Sequence, residues 1–239
     1  MSDRARQLAR FQETLGVRFQ SMAMLDEALT HSSFCHENPE GNPSDNQRLE
    51  FLGDAILNFL VGEWLFGRYP DATEGELTSL RADVVRTESL AAMAEELDLG
   101  NYLRMGRGEA AGGGAERPAN LCAALEALVG AIYLDQGLER VMGWVHGLLE
   151  ARQAEIEAWR RTKDAKTRLQ EGVQASFHIT PSYCIVREEG PDHAKRFTAQ
   201  VLVGDEVWGE GVGLSKQAAQ QAAAADALAK AQASGWLDG

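Results

Sequence analysis

Residues Asn46 to Leu57 read NQRLEFLGDAIL, and the apolar positions Leu49, Leu52, Ile56 and Leu60 recur at spacings of three and four, the period of a helix with one buried face. Gln47, Glu50, Asp54 and Asn58 follow at steps of three, four and four, which aligns them along another side of that helix. A polar stripe of this kind is commonly a solvated face. Here two carboxylates four residues apart have no lysine or arginine one turn away, so they repel each other, and a cation would relieve them. Gly53, set among them, costs about 1 kcal/mol relative to alanine in a helix interior. Close approach of another backbone or a bulky partner would account for it.

A second carboxylate of interest interrupts the apolar run LCAALEALVG, residues 121–130, at Glu126. An ionised carboxylate tolerates burial when it is paired or when it coordinates a metal, so Glu126 should meet either an arginine, with Arg48 the obvious partner, or a bound ion. Spacing leaves both open. Oxygen ligands on both helices would favour magnesium or manganese over zinc. A further acidic pair lies in Thr73-Glu74-Gly75-Glu76, which has the form of a capping box with Thr73 as N-cap. Glu76 is then structural, and the helix dipole by itself explains Glu74.

Helical periodicity extends from Gln7 to about Arg161, with Leu121, Leu125, Leu128 and Ile132 another example, and the glycine-rich insert Gly106 to Pro118 reads as a loop. Charged, helix-favouring residues then end in RRTKDAKTR, a segment with few prospective core positions, and the grammar changes after it. A short helix over Lys166 to Ser176 is followed by strand-like stretches at Ser182 to Arg187, Arg196 to Val203 and Glu206 to Val212, with turns at Glu189 to Asp192 and at Gly204-Asp205. A final alanine-rich helix runs from an N-cap at Ser215 to about Ala231. The reading is a helical domain over 7–150, a linker over 151–163 and an α-β-β-β-α domain over 164–233.

The 239 residues are 44% hydrophobic and 25% charged, in keeping with two folded domains. Three cysteines without paired short spacing point to neither a disulfide framework nor structural zinc. The opening MSDRARQLARFQ lacks the apolar stretch of a secretory signal, and no apolar run approaches the roughly 18 residues of a membrane span. The expectation is a cytoplasmic protein without membrane contact. A formal charge of −13 opposes the basic footprint of most nucleic-acid binders, and alone it favours a small-molecule enzyme. Net charge averages over the surface, however. Lys216 directly after Ser215 opposes the helix dipole, which makes sense if the helix start and the lysine together meet phosphate.

NQRLEFLGDAIL closely resembles the signature of the bacterial ribonuclease III family, and LEALVGAIYLD from Leu125 resembles that family's second acidic helix. THSSF at Thr30 to Phe34, TEGELTSLRADVV from Thr73 and the order of the two domains extend the resemblance over nearly the whole chain. It implies an all-α catalytic domain of the ribonuclease III fold, followed by a small α+β double-stranded-RNA-binding domain. The implied activity is hydrolysis of phosphodiester bonds in double-stranded RNA by a homodimer, leaving 5′-phosphate and 3′-hydroxyl ends, in the processing of ribosomal and other structured precursors.

Carried over residue by residue, the resemblance implies that Glu50 and Glu126 ligate Mg2+, with Mn2+ an alternative, and that Asp54 completes the acidic cluster. Asp54 and Glu126 become the catalytic residues, and Glu74 aligns with a family acid that approaches the catalytic valley; Gln47, and Asn120 as a neighbour able to replace a ligand missing at Ala123, are the other secondary residues of that valley. Phe51 looks like the apolar knob of the dimer interface, though an ordinary core phenylalanine would also fit. In the second domain Gln170, Glu171, Gln174, His193 and Lys216 are the implied RNA contacts, the glutamines suiting 2′-hydroxyls and minor-groove edges. Two positions depart from the pattern. Ala123 stands where the family usually carries aspartate, and Gln47 where many relatives carry glutamate. The first departure raises an alternative, a double-stranded-RNA-binding protein of the same fold with weakened cleavage.

Overall fold

The computed structural model describes residues 2–41, 43–190 and 195–233. The chain divides into two compact units, residues 1–153 and 154–239.

The first unit contains α1 (Asp3–Leu15), α2 (Met22–Ala28), α3 (Ser32–Glu37), α4 (Gln47–Arg68), α5 (Glu74–Val84), α6 (Thr87–Glu96), α7 (Arg107–Ala111), α8 (Pro118–Gln136) and α9 (Leu138–Ala151). Pro118 opens α8 at the position where a missing N–H costs nothing. The helix is apolar on nearly every side, as a helix enclosed by others must be, and Leu121, Leu125, Leu128 and Ile132 are fully buried. By length and composition α8 could cross a membrane, which the reading of apolar runs did not anticipate. Leu121, Leu125 and Leu128 are instead enclosed in the core, where α8 packs against α4 and α6.

The glycine-rich insert is more ordered than a loop, since α7 and a 3-10 turn, Gly114–Glu116, form inside it. The reason is distant in sequence: the carboxylate of Glu37 accepts from the backbone N–H of Arg107 at 2.9 Å and of Gly108 at 3.4 Å, satisfying donors that a short helix leaves open. The capping box forms as read, with Thr73 N donating to Glu76 Oε2 at 2.6 Å and Glu76 N to Thr73 Oγ1 at 3.3 Å.

The second unit is built from α10 (Gln153–Phe177), β1 (Ser182–Glu189), β2 (Arg196–Val203), β3 (Glu206–Gly213) and α11 (Lys216–Ala233). The strands form an antiparallel sheet in the order β1-β2-β3. Ala199, Val201 and Val203 alternate inward from β2 onto Leu169 and Val173 of α10 and Ala219, Ala223 and Ala227 of α11. Gly209 and Gly211 let α11 lie directly on β3: a β-carbon on either would fall 2.3 or 2.2 Å from the helix backbone. The first helix starts at Gln153, not at Lys166. The stretch read as a linker consists of charged, helix-favouring residues, and nothing in it stops a helix that Ala165, Leu169 and Val173 anchor below.

Candidate active site

Both acidic helices present their carboxylates where α4 and α8 cross. Gly130 on α8 permits the crossing, because a β-carbon there would lie 2.4 Å from the carbonyl oxygen of Leu49. Gly53 does the same from the side of α4. The two helices therefore touch through their backbones, and Glu50, Asp54 and Glu126 come within electrostatic reach of one another.

Glu126 is half-buried, and desolvation, followed by the charges of Asp54 and Glu50, pushes its pKa up to about 7. Glu50 is also raised, first by burial, with Asp45 and Asp54 adding to the effect and His31 opposing it. Asp54 is exposed and accepts a hydrogen bond from Asn58 Nδ2 at 2.9 Å. Cys122, one turn before Glu126, is buried; desolvation and then the Glu126 charge push its thiol up to about 12, and its hydrogen bond to Glu126 favours the ionised carboxylate.

Arg48, the alternative partner for Glu126, is exposed, and among the described residues no lysine, arginine or histidine pairs with Glu50, Asp54 or Glu126. The salt-bridge reading is thereby corrected. Arg48 lies one residue before Leu49 on the helix, and Leu49 is the residue buried at the crossing, so Arg48 is turned outward.

A half-buried carboxyl without a countercharge either keeps its proton or meets a cation. Three carboxylates without an ion pair among the described residues offer hard oxygen donors of the kind a divalent ion takes. Among the described residues no three histidine, cysteine, aspartate or glutamate side chains are drawn close enough to enclose an ion by themselves.

The secondary residues are dispersed. Gln47 is exposed at the first position of α4, its N–H donating to Asp45 Oδ1 at 3.1 Å. Glu74 begins α5 and lines a groove with Asn58, Phe59, Phe66 and Arg81, so Asn58 connects that groove to Asp54. Asn120 is a staple: its Nδ2 donates to Glu109 Oε1 at 2.8 Å and to the Gly114 carbonyl at 2.9 Å, fastening the glycine-rich segment to α8. Phe51 is 82% exposed, which corrects the core reading of this residue. Phe59 and Phe66 are exposed on the same helix.

In the second unit Gln170, Glu171 and Gln174 are exposed on α10. Ser215 Oγ accepts from Ala218 N at 3.1 Å, and Lys216 follows as the first residue of α11. Its ammonium lies 3.0 Å from Glu188 Oε1. His193 lies outside the described residues. Sequence reasoning missed His31, whose charge acts on Glu50, and Glu188. Both act across gaps in sequence that helical or strand periodicity does not bridge. Cys122 was within reach of it, since it precedes Glu126 by one turn.

A family model described as Ribonuclease-III-like matches residues 21–151, and one described as double-stranded RNA binding motif matches residues 165–231. The chain is 49% identical over 228 residues to Ribonuclease 3 of Desulforamulus reducens, covering 95% of this chain and 93% of that protein. It is 46% identical over 230 residues to Ribonuclease 3 of Pelotomaculum thermopropionicum, covering 96% and 95%. Among solved structures, the nuclease domain of ribonuclease III from Campylobacter jejuni superposes with a TM-score of 0.56 at 39% identity, over 60% of this chain and 94% of that one. A second structure of that domain, with the same TM-score and identity over 59% and 95%, concerns flexibility in a region involved in dimer formation.

Proposed function

The chain belongs to the ribonuclease III family and is an endoribonuclease with a double-stranded-RNA-binding domain, and from that premise we propose that it cuts duplex RNA by Mg2+-dependent hydrolysis, as a homodimer. The products are 5′-phosphate and 3′-hydroxyl ends, and the substrates are ribosomal and other structured precursors. The observation that carries this reading is the half-buried Glu126 carboxyl, which lies within electrostatic reach of Glu50 and Asp54 and has no ion-pair partner among the described residues.

Glu50 and Glu126 would hold the ion, with Asp54 beside them. When bound, the ion supplies Lewis-acid stabilisation of the phosphate and a water nucleophilic at neutral pH. The chain's own residues prepare for it. Burial of Glu126 keeps bulk water from screening the charge at this point. The Asn58 amide restrains Asp54, leaving its second oxygen to orient water, and the Cys122 thiol hydrogen bond helps hold Glu126 ionised. The exposed glutamines of α10 and Lys216 supply shape-directed contact with the duplex. Phe51 is the knob of the self-association surface, a reading supported by its exposure, while the dimer formation named for the Campylobacter jejuni nuclease domain supports self-association itself.

The comparisons lend no support to a weakened RNA-binding protein, despite Ala123. The deciding experiment incubates the full chain with a long RNA duplex and Mg2+, alongside Glu126→Ala. Cleavage by the native chain that disappears in Glu126→Ala is expected. Cleavage that persists in the variant, or needs no divalent ion, overturns the assignment.

A further inference from the structure

In the RNA-binding unit one carboxylate holds two lysines at once. Glu188 Oε1 lies 3.0 Å from Lys216 Nζ, and Glu188 Oε2 lies 3.5 Å from Lys195 Nζ. The arrangement follows from the sheet register. Glu188 on β1 is paired with Phe197 on β2, so Lys195, two residues before Phe197, reaches the same edge. Lys216 arrives from the start of α11, its ammonium 5.7 Å from the centre of the Phe197 ring. The hydrogen bond from Lys216 is the leading reason that the Glu188 carboxyl is held below the usual carboxylate range.

Folding does not explain this cluster. Lys216 is 61% exposed and Lys195 and Glu188 are each 37% exposed, and ion pairs this open contribute little to stability. Over residues 165–231 the matched region carries seven lysines and arginines against eight aspartates and glutamates. With no net positive charge, its attraction for a polyanion rests on individual ammoniums. In the free chain Glu188 occupies the oxygen-binding side of two of them.

We propose that Glu188 is an internal competitor of RNA phosphate, setting the affinity and salt dependence of duplex capture through Lys216 and Lys195. The proposal rests on the reading of this unit as a duplex-RNA-binding domain and adds to it a residue that limits binding. A phosphate arriving at Lys216 must displace the carboxylate or sit beside a like charge. Removing that charge while keeping the side chain's shape therefore strengthens binding.

The experiment uses the full chain in EDTA, with a 30-base-pair RNA duplex as the probe and dissociation constants measured across a salt series. Glu188→Gln is expected to bind about fivefold tighter at low salt, the effect of relieving one close like-charge contact in a solvated setting. Its log–log salt slope steepens, because more counterions are released on binding. Glu189→Gln makes the same change in net charge one residue away, and it should gain much less. Lys216→Ala should weaken binding and remove most of the gain from Glu188→Gln when the two are combined. Equal or weaker binding by Glu188→Gln, or an equal gain from Glu189→Gln, overturns the proposal while leaving the RNA-binding reading intact provided that Lys216→Ala weakens capture. Failure of both the native chain and Glu188→Gln to retain the duplex overturns that reading and the proposal together.

Discussion

A β-carbon on Gly53 would fall 1.7 Å from the carbonyl oxygen of Glu126 and 2.6 Å from its carbonyl carbon. The residue before Asp54 thus rests on the peptide group of the carboxylate that Asp54 faces from the other helix. Closeness of the backbones sets the closeness of the acids. Gly53→Ala removes that freedom: the gain in helix propensity, about 1 kcal/mol, is outweighed by parting two packed helices, and a net loss of about 3 kcal/mol or more is expected. Urea unfolding measures it. Gly143→Ala on α9, where nothing lies within 4 Å, is the control and should stabilise by up to about 1 kcal/mol.

Glu126 makes the metal-free protein sensitive to pH near neutrality. Its folded pKa of about 7 lies above the ordinary 4.5, so the folded state holds this proton more tightly than the unfolded state. Its contribution is fully present below pH 4.5 and is lost as pH rises through about 7. The loss should be on the order of 1 to 3 kcal/mol. In Glu126→Gln the decline of stability between pH 5 and 8 should flatten, as followed by thermal unfolding in EDTA. Cleavage runs the opposite way and rises through the same interval, because only the ionised carboxylate can hold a cation.

Ala123 precedes Glu126 by three residues on α8, and Ala123→Asp places a further carboxylate on the same helical side. Calorimetric titration with Mn2+ should show at least about tenfold tighter binding, the scale on which one added anionic ligand acts. Without metal the added charge raises Glu126 further and lowers stability at pH 8. Unchanged affinity would place the ion elsewhere.

Asp135 fastens α8 to the start of α2: its Oδ1 accepts from Ser21 N at 2.8 Å and its Oδ2 from Gln20 N at 2.7 Å. Asp135→Ala leaves two backbone donors without their charged acceptor. A loss of about 2 kcal/mol in chemical denaturation is expected, with cleavage at permissive temperature unaffected.

Phe51→Glu tests the self-association surface. Since the ring is exposed, the substitution should leave the circular dichroism of the chain unchanged. Sedimentation velocity should show the variant as a monomer at concentrations where the native chain is paired. A variant that stays paired would move the interface off Phe51.

Local interactions made much of this protein legible in advance. The helical period of NQRLEFLGDAIL, the capping box at Thr73 and the Ser215 cap are each decided by residues within a turn of one another, and each is present in the structure. Alternation in RFTAQVLV likewise reports which side of β2 is buried. The glycine-rich insert, read as a loop, and the helix start read at Lys166 after a linker differ from the structure where the deciding contacts are remote: Glu37 caps α7 from an earlier helix, and the core below Ala165 anchors α10.

By itself the sequence determined which residues could act as ligands and in what order the two domains follow, because residue chemistry and short-range periodicity are properties of the chain alone. Tertiary structure decided that Glu126 faces Glu50 and Asp54 with Arg48 turned away, and that Glu188 takes the ammonium of Lys216. Those outcomes depend on how closely two backbones approach, which the glycines at the helix crossing and the register of the sheet control and which no local pattern encodes.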